Sequence, residues 1–230
     1  MAIAATLQQA GVEATTAGHA SFITSLYVLF TPLLALAVGR RVGGEIWVAC
    51  GLALVGLWLL SVVPDTEGFT VNPGDPLVLG CALMWSIQIL VVARAATVLE
   101  PLRFTFLQFA VTGVLSLAIA LAIESPTLEQ AGAAWGALFY GSVFSVGLAF
   151  VIQMVAQRVA PPTHAAIIMS LESVFGMAAG VWLLSEAIDG RKILGAALMF
   201  AALLVAQVRP PWRPKAGSEG SSDLGPADKR

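Results

Sequence analysis

One carboxylate, Glu172, lies near the middle of the apolar run HAAIIMSLESVFGMAAGVWLL, residues 164–184. An ionisable group at membrane depth is costly, so Glu172 is expected to face protein or a water-filled cavity, either protonated or hydrogen-bonded. No Lys or Arg lies at comparable depth in another apolar run, which disfavours a salt bridge. Two roles stay open: a pathway group that carries protons or contacts substrate, and a structural hydrogen bond to a neighbouring helix.

A second set of side chains could orient a small polar ligand without the cost of buried charge. These are neutral polar or aromatic residues inside other apolar runs: Tyr27, Trp85, Gln88, Gln108 and Gln153. Amides in membrane helices also make ordinary interhelical contacts worth about 1 kcal/mol. That structural role is favoured for Gln108 and Gln153, whereas Trp85 and Gln88, one turn apart, are equally consistent with either role.

Metal, cofactor and enzymatic chemistry have few residues to support them. His19 and His164 open apolar runs without a Cys or carboxylate at ligand spacing, so they are interpreted as interfacial or packing residues. Cys50 and Cys81 lie inside apolar runs and are interpreted as small core residues. Because Asp, His and Arg do not cluster at one interface, we expect no enzyme, no metal and no cofactor.

The elements that must position these residues are membrane helices. The 230-residue chain is 58% hydrophobic and only 11% charged, against roughly 25% charged in soluble domains. Crossing a bilayer takes about 20 apolar residues. Seven segments meet or approach that length, which predicts an all-α, polytopic membrane helix bundle: 18–38, 46–63, 76–93, 104–123, 133–156, 164–184 and 192–208. Pro32, within the first of them, predicts either a helix break or a simple kink.

The positive charges predict the orientation of the bundle. Ten of the twelve Lys and Arg residues fall on one side of the predicted spans: Arg40, Arg41, Arg94, Arg103, Arg158, Arg209, Arg213, Lys215, Lys229 and Arg230. Positive residues in short loops are retained in the cytoplasm. We therefore expect a multi-pass protein of the cell (inner) membrane with a cytoplasmic C-terminus. No basic face suggests nucleic-acid binding.

An internal repeat relates the two halves of the chain. Residues 7–30 align with residues 152–175 at a constant offset of 145, which pairs Gln8 with Gln153 and both histidines with each other. The same offset pairs Tyr27 with Glu172. Because five spans separate the first span from its counterpart, the copies are inverted in the membrane, an arrangement typical of alternating-access carriers.

The copies differ in length. Residues 76–208 form a five-helix second repeat, whereas residues 1–63 supply only the end of a third helix and the last two helices of the first. Residues 64–75 are expected to be an extracytoplasmic loop, and residues 209–230 a disordered cytoplasmic tail. About 70 residues of the first repeat have no counterpart, so we expect seven full spans of a ten-helix (5+5) inverted-repeat protein plus a partial N-terminal helix. The alternative is a genuine seven-helix protein with an amphipathic N-terminal segment.

Two stretches resemble the conserved ends of the two repeats of EamA-type transporters of the drug/metabolite transporter superfamily. They are LQQAGVEATTAGHASFITSLYVLFTPLLAL with WVACGLALVGLWLL, and AQRVAPPTHAAIIMSLESVFGMAAGVWLLSEAIDGRKILGAALMFAALLVA. The resemblance implies ten helices in two inverted repeats, both termini cytoplasmic, and export of a small metabolite such as an amino acid. Ser173 replaces the usual Pro after the Glu, and Gly39-Arg40-Arg41 replaces the Gly-Glu of the first repeat, although Glu186 keeps its counterpart.

The expected partners are a small-molecule substrate, H⁺ as a coupling ion, the lipid bilayer and a second copy of the chain in a homodimer. The alternative function is a truncated, non-transporting remnant, or a membrane protein that needs the missing helices or a partner chain.

Overall fold

A computed structural model describes residues 1–61, 72–123, 128–184 and 189–208. Every regular element in those ranges is helical. The elements are α1 (Ala2–Val12), α2 (Ala17–Ser25), α3 (Tyr27–Ala37), α4 (Gly44–Ser61), α5 (Asp75–Ala95), α6 (Pro101–Ile123), α7 (Leu128–Ala133), α8 (Trp135–Tyr140), a π-helix (Gly141–Leu148), α9 (Ala149–Ala156), α10 (Pro162–Ser170), α11 (Glu172–Leu184) and α12 (Gly190–Gln207). The predicted tail, 209–230, lies outside the described residues.

Six stretches of these ranges are long and apolar enough to cross a membrane: Gly18–Ala37, Gly44–Ser61, Asp75–Ala95, Pro101–Ala122, Trp135–Ala156 and Gly190–Gln207. They agree with six of the predicted spans to within a few residues, so the polytopic helical bundle is confirmed. Segment 164–184 is not among the six and forms α10 and α11 instead. The seventh span and the ten-helix repeat stay predictions.

The first predicted span and segment 164–184 each break at one leucine, and the two breaks match. Leu26 separates α2 from α3 with φ −60° and ψ −10°, and Leu171 separates α10 from α11 with φ −62° and ψ −12°. Both ψ values are far from the roughly −42° of an α-helix. Each leucine N–H donates to the carbonyl three residues earlier at 3.1 Å, a 3₁₀-type bond. The two breaks are 145 residues apart, the same offset as in the sequence alignment.

Pro32 lies inside α3 but does not end it. A proline lacks the N–H that would bond the carbonyl four residues earlier, here that of Val28. The Cys50 thiol of α4 takes its place, with Sγ 3.4 Å from the Val28 carbonyl oxygen. Thr31 Oγ1 bonds the Tyr27 carbonyl at 2.7 Å in the same turn. The helix thus tolerates Pro32, and the break lies six residues earlier.

The core of the bundle lies where α3, α4, α5, α10 and α12 meet, around Val28, Ile46, Ile89, Ile167 and Ala202. Helices α4 and α12 pack closely against each other. A Cβ on Gly56 would lie 2.7 Å from the Gly195 carbonyl oxygen, and a Cβ on Gly195 would lie 2.8 Å from the Gly56 carbonyl oxygen. Only glycine permits this approach of the two backbones.

The end of α3 explains the Gly-Arg-Arg sequence. Gly39 has φ +77°, a conformation that glycine adopts without strain. Its N–H donates to the Leu36 carbonyl and that of Arg40 to the Ala35 carbonyl, both at 2.9 Å. These two bonds form a Schellman motif, which places the arginines just beyond the C-terminus of α3, where positive charge is favourable.

Candidate functional site

A cavity of about 460 Å³, here called the central cavity, lies among the helices of the bundle. Its lining comes from α1, the α2–α3 pair, α5, the π-helix, α9 and the α10–α11 pair. Three pairs of residues separated by the repeat offset line it together: Gln8 and Gln153, Thr24 and Met169, Tyr27 and Glu172. Pockets of about 300–1,000 Å³ commonly hold small ligands.

Four of the six residues singled out by sequence line this cavity: Glu172, Tyr27, Trp85 and Gln153. Gln88 is buried behind the wall, where its Oε1 lies 3.4 Å from Gln153 Nε2. Gln108 lies elsewhere, with its Nε2 3.0 Å from Met1 Sδ, beside a separate cavity of about 420 Å³ between α1 and α6.

Glu172 is the first residue of α11 and directly follows the break at Leu171. Its side chain is exposed and borders the central cavity. No other charged residue contributes to the described lining. A helix N-terminus carries partial positive charge, so the break supplies a favourable position for a carboxylate in the middle of the segment.

Aromatic rings form one wall. Trp85 and Phe150 have ring centroids 5.9 Å apart, and Phe109 meets Phe150 edge-on at 5.4 Å. Trp85 Nε1 donates to Gln8 Oε1 at 3.4 Å. Gln8 was not among the site residues predicted from the sequence. Its alignment with Gln153 at the offset of 145 was the signal that could have identified it.

Two buried hydroxyls of the lining have no hydrogen-bond partner. They are Thr24 Oγ1 and Tyr27 OH, and both oxygens are shielded from solvent in this conformation. Ser25 and Ser170 differ, because each donates to a carbonyl of its own helix at 2.8 and 2.7 Å. An unpaired buried polar group costs about 1–3 kcal/mol and needs an explanation. Sequence reasoning missed Thr24.

A second cavity of about 450 Å³, here called the arginine cavity, lies at the end of the bundle that carries Arg40, Arg41 and Arg158. Gln157 and Ala160 line both cavities, so they form the partition between them. Gln157 is 3% exposed. Its Nε2 donates to the Ile89 carbonyl at 3.3 Å, and its Oε1 accepts from Gln153 at 3.4 Å. Nothing in the sequence pointed to Gln157.

A polar cluster joins the starts of α2 and α5. Asp75 accepts hydrogen bonds from Thr15 Oγ1 at 2.5 Å and from the Asn72 N–H at 2.9 Å. His19 Nδ1 lies 3.5 Å from Asp75 Oδ2 and 3.1 Å from Asn72 Nδ2. Sequence spacing gave His19 no carboxylate companion, and the fold supplies one from 56 positions away. In the part of the chain that is described, His, Cys, Asp and Glu form no group of three suited to a metal.

Comparison with known proteins gives relatives over most of the chain. A protein described as an uncharacterized transporter from Archaeoglobus fulgidus is 30% identical over 210 residues, 89% of this chain and 65% of the relative. The threonine/homoserine exporter RhtA of Salmonella typhimurium is 30% identical over 181 residues, 75% of this chain and 58% of RhtA. The chain thus spans less than two thirds of the length of these relatives.

A structural superposition and a match to a protein family are consistent with these relatives. A solved crystal structure superimposes with a TM-score of 0.74 at 20% identity, covering 87% of this chain and 70% of its own; it supports the fold alone. Residues 72–207 match the EamA-like transporter family. The match, the named transporters and the apolar helices make this a multi-pass membrane protein. The chain belongs to the EamA-like transporter family.

Proposed function

We propose that the chain acts as a secondary carrier that exports a small metabolite, such as an amino acid or a related compound, by alternating access. The observation that carries the proposal is the convergence of repeat-related residues, Tyr27 with Glu172 and Gln8 with Gln153, on one cavity. Substrate sites of inverted-repeat carriers lie at such repeat interfaces. The proposal includes the cell (inner) membrane, a cytoplasmic C-terminus, and repeats at residues 1–63 and 76–208.

The lining of the central cavity favours a small, uncharged or zwitterionic substrate. The lining is largely aliphatic, and its amides, hydroxyls and aromatic rings accompany a single carboxylate, Glu172. A strongly anionic substrate such as a sugar phosphate would need Arg or Lys there, and the described lining has neither. An ammonium group would find its counter-charge at Glu172. Two relatives named as threonine/homoserine exporters support the same class.

Glu172 has two roles within this proposal, as the contact for the cationic group of the substrate or as the proton carrier that couples flux to H⁺. The breaks at Leu26 and Leu171 support alternating access, because half-helices can tilt about them. Proton coupling and a homodimer remain part of the proposal.

Flux of radiolabelled L-threonine and L-homoserine into inverted membrane vesicles tests the function. A version extended upstream is measured alongside, because the chain spans only 65% and 58% of its relatives. Glu172→Gln should abolish proton-coupled flux while leaving the protein folded, since the amide keeps the shape but not the charge. Glu100→Gln is the matched control, because Glu100 is exposed and pairs with Arg103 at 2.9 Å, away from both cavities.

Flux driven by a pH gradient in wild type, and its loss in Glu172→Gln alone, would support the carrier. Absence of flux in both the short and the extended versions would refute it and favour the non-transporting remnant. Normal flux and normal pH dependence in Glu172→Gln would remove the proton role.

A further inference from the structure

The arginine cavity has a defined charge and a defined position. Arg40 and Arg41 follow the Schellman turn at Gly39, and Arg158 follows α9, where its Nη2 donates to the Leu99 carbonyl at 3.2 Å. A guanidinium has five N–H donors, so this bond leaves Arg158 free to bind an anion as well. Glu45 is the acidic residue of the described lining, against three arginines. The cavity is therefore positively charged.

The partition between the two cavities is thin and weakly bonded. Gln157 is buried and lines both cavities, and its two hydrogen bonds are long, at 3.3 and 3.4 Å. Ala160, the other shared residue, contributes only a methyl group. The arginine cavity thus adjoins the central cavity at Gln157 and Ala160.

The two cavities hold ionisable groups of opposite type, basic in the first and acidic in the second. Arginines dominate the first, whereas Glu172 is the charged residue of the described lining of the second. A zwitterion has one group for each: its carboxylate suits arginine, which can bind it through two parallel hydrogen bonds, and its ammonium suits Glu172. Both volumes, about 450 and 460 Å³, admit a small metabolite.

We infer that the arginine cavity is an access site that binds the carboxylate of the substrate before it enters the central cavity through the partition at Gln157. The inference rests on the proposed function and extends it, because it names the group recognised and the end of the bundle at which recognition occurs. That end is the one the arginine distribution predicts to be cytoplasmic, as an exporter requires.

Membrane topology and lipid binding would also place arginines at this end of the bundle, and each has a distinct experimental signature. Positive residues retained in the cytoplasm for topology alone would contribute nothing to affinity. An anionic lipid headgroup offers the same chemistry as a carboxylate, and would make the effect of the arginines depend on lipid composition. Arg103 serves as the control for the topology explanation. It belongs to the same set of arginines, but it pairs with Glu100 and does not line the cavity.

The test measures L-threonine uptake into inverted vesicles by wild type, Arg40→Gln, Arg158→Gln, Arg158→Lys and the control Arg103→Gln. Loss of a charge-assisted contact should raise KM about five- to tenfold in Arg40→Gln and in Arg158→Gln, with kcat nearly unchanged. Arg158→Lys should recover part of the affinity and Arg103→Gln should match wild type. L-threonine methyl ester, which has no carboxylate, should compete equally well in wild type and Arg158→Gln.

Two further readouts separate the possible failures. Purified protein is reconstituted with and without phosphatidylglycerol, and thermal stabilisation by L-threonine is measured on the same samples. An unchanged KM in both cavity variants, an equal effect of Arg103→Gln, or an effect seen only with phosphatidylglycerol would each overturn the access site while leaving the carrier intact. Binding of L-threonine without flux in any version would refute the carrier and leave a carboxylate-binding site without transport, whereas absence of both binding and flux would refute the two together.

Discussion

The contact between α4 and α12 allows a quantitative test of the fold, because two interior glycines of α4, Gly51 and Gly56, lie in opposite surroundings. A Cβ at Gly56 would lie 2.7 Å from the Gly195 carbonyl oxygen and 2.7 Å from Met199 Cγ, whereas a Cβ at Gly51 would meet nothing within 4 Å. Ordinary contact begins at 3.4 Å. Gly56→Ala therefore forces α4 and α12 apart by several tenths of an ångström, while Gly51→Ala forces no movement.

The expected magnitudes follow from two opposing effects. Overpacking costs about 1–3 kcal/mol, and alanine gains about 0.8–1 kcal/mol over glycine inside a helix. Gly56→Ala should thus lower the free energy of unfolding by up to about 2 kcal/mol, whereas Gly51→Ala should raise it by up to about 1 kcal/mol. For a chain of this length each kcal/mol shifts Tm by about 2–4 °C.

A thiol-reactive dye provides the assay, since Cys50 and Cys81 are both buried and react only on unfolding. Gly195→Ala should repeat the loss, because its Cβ would lie 2.8 Å from the Gly56 carbonyl oxygen. Equal melting temperatures for Gly56→Ala and Gly51→Ala would refute the close approach of the two helices.

Three further predictions concern the cavities and the polar cluster. Thr24→Val should raise the free energy of unfolding by about 1 kcal/mol in the same dye assay, because it removes an unpaired buried hydroxyl. Thr31→Val is the control and should give no such gain, because the Thr31 hydroxyl donates a hydrogen bond to the Tyr27 carbonyl. Gln157→Ala should open the partition between the two cavities. A cysteine that replaces Ala149 in the central cavity should then react faster with a membrane-impermeant maleimide added from the arginine-rich end. An unchanged reaction rate would contradict this prediction. Asp75→Asn should lower stability by about 1–3 kcal/mol, and a wild-type melting temperature would show that its hydrogen bonds do not hold α2 to α5.

The helices were predictable because apolar length alone identifies a membrane span. The repeat was also visible, since two rare histidines and two glutamines align at one offset. Its consequence for the backbone was less apparent: Pro32 suggested the position of a break, but the breaks lie at Leu26 and Leu171. Proline draws attention in a sequence, yet a thiol from a neighbouring helix can satisfy the carbonyl that it frees.

The candidate site was predictable only in part, for a related reason. Glu172 and Trp85 stood out because charge and large polar rings are rare in apolar runs, and both line the central cavity. Thr24 did not stand out, because a hydroxyl in a membrane helix usually bonds its own backbone, and only the packing shows that this one does not. Gln108 and Gln157 are alike in sequence, but only Gln157 separates two cavities.

The break at Leu171 has an electrical consequence. Glu172 lies ten residues after the start of α10 and twelve before the end of α11, or about 15 and 18 Å at the rise of an α-helix. If segment 164–184 spans the bilayer as the sequence predicts, a proton that reached this carboxylate from either face would therefore cross about half of the transmembrane field. Moving one charge across a full 100 mV is worth about 2.3 kcal/mol, so loading and release at Glu172 would each gain or lose roughly half of that. Membrane voltage would then act almost equally on both halves of a proton-coupled cycle.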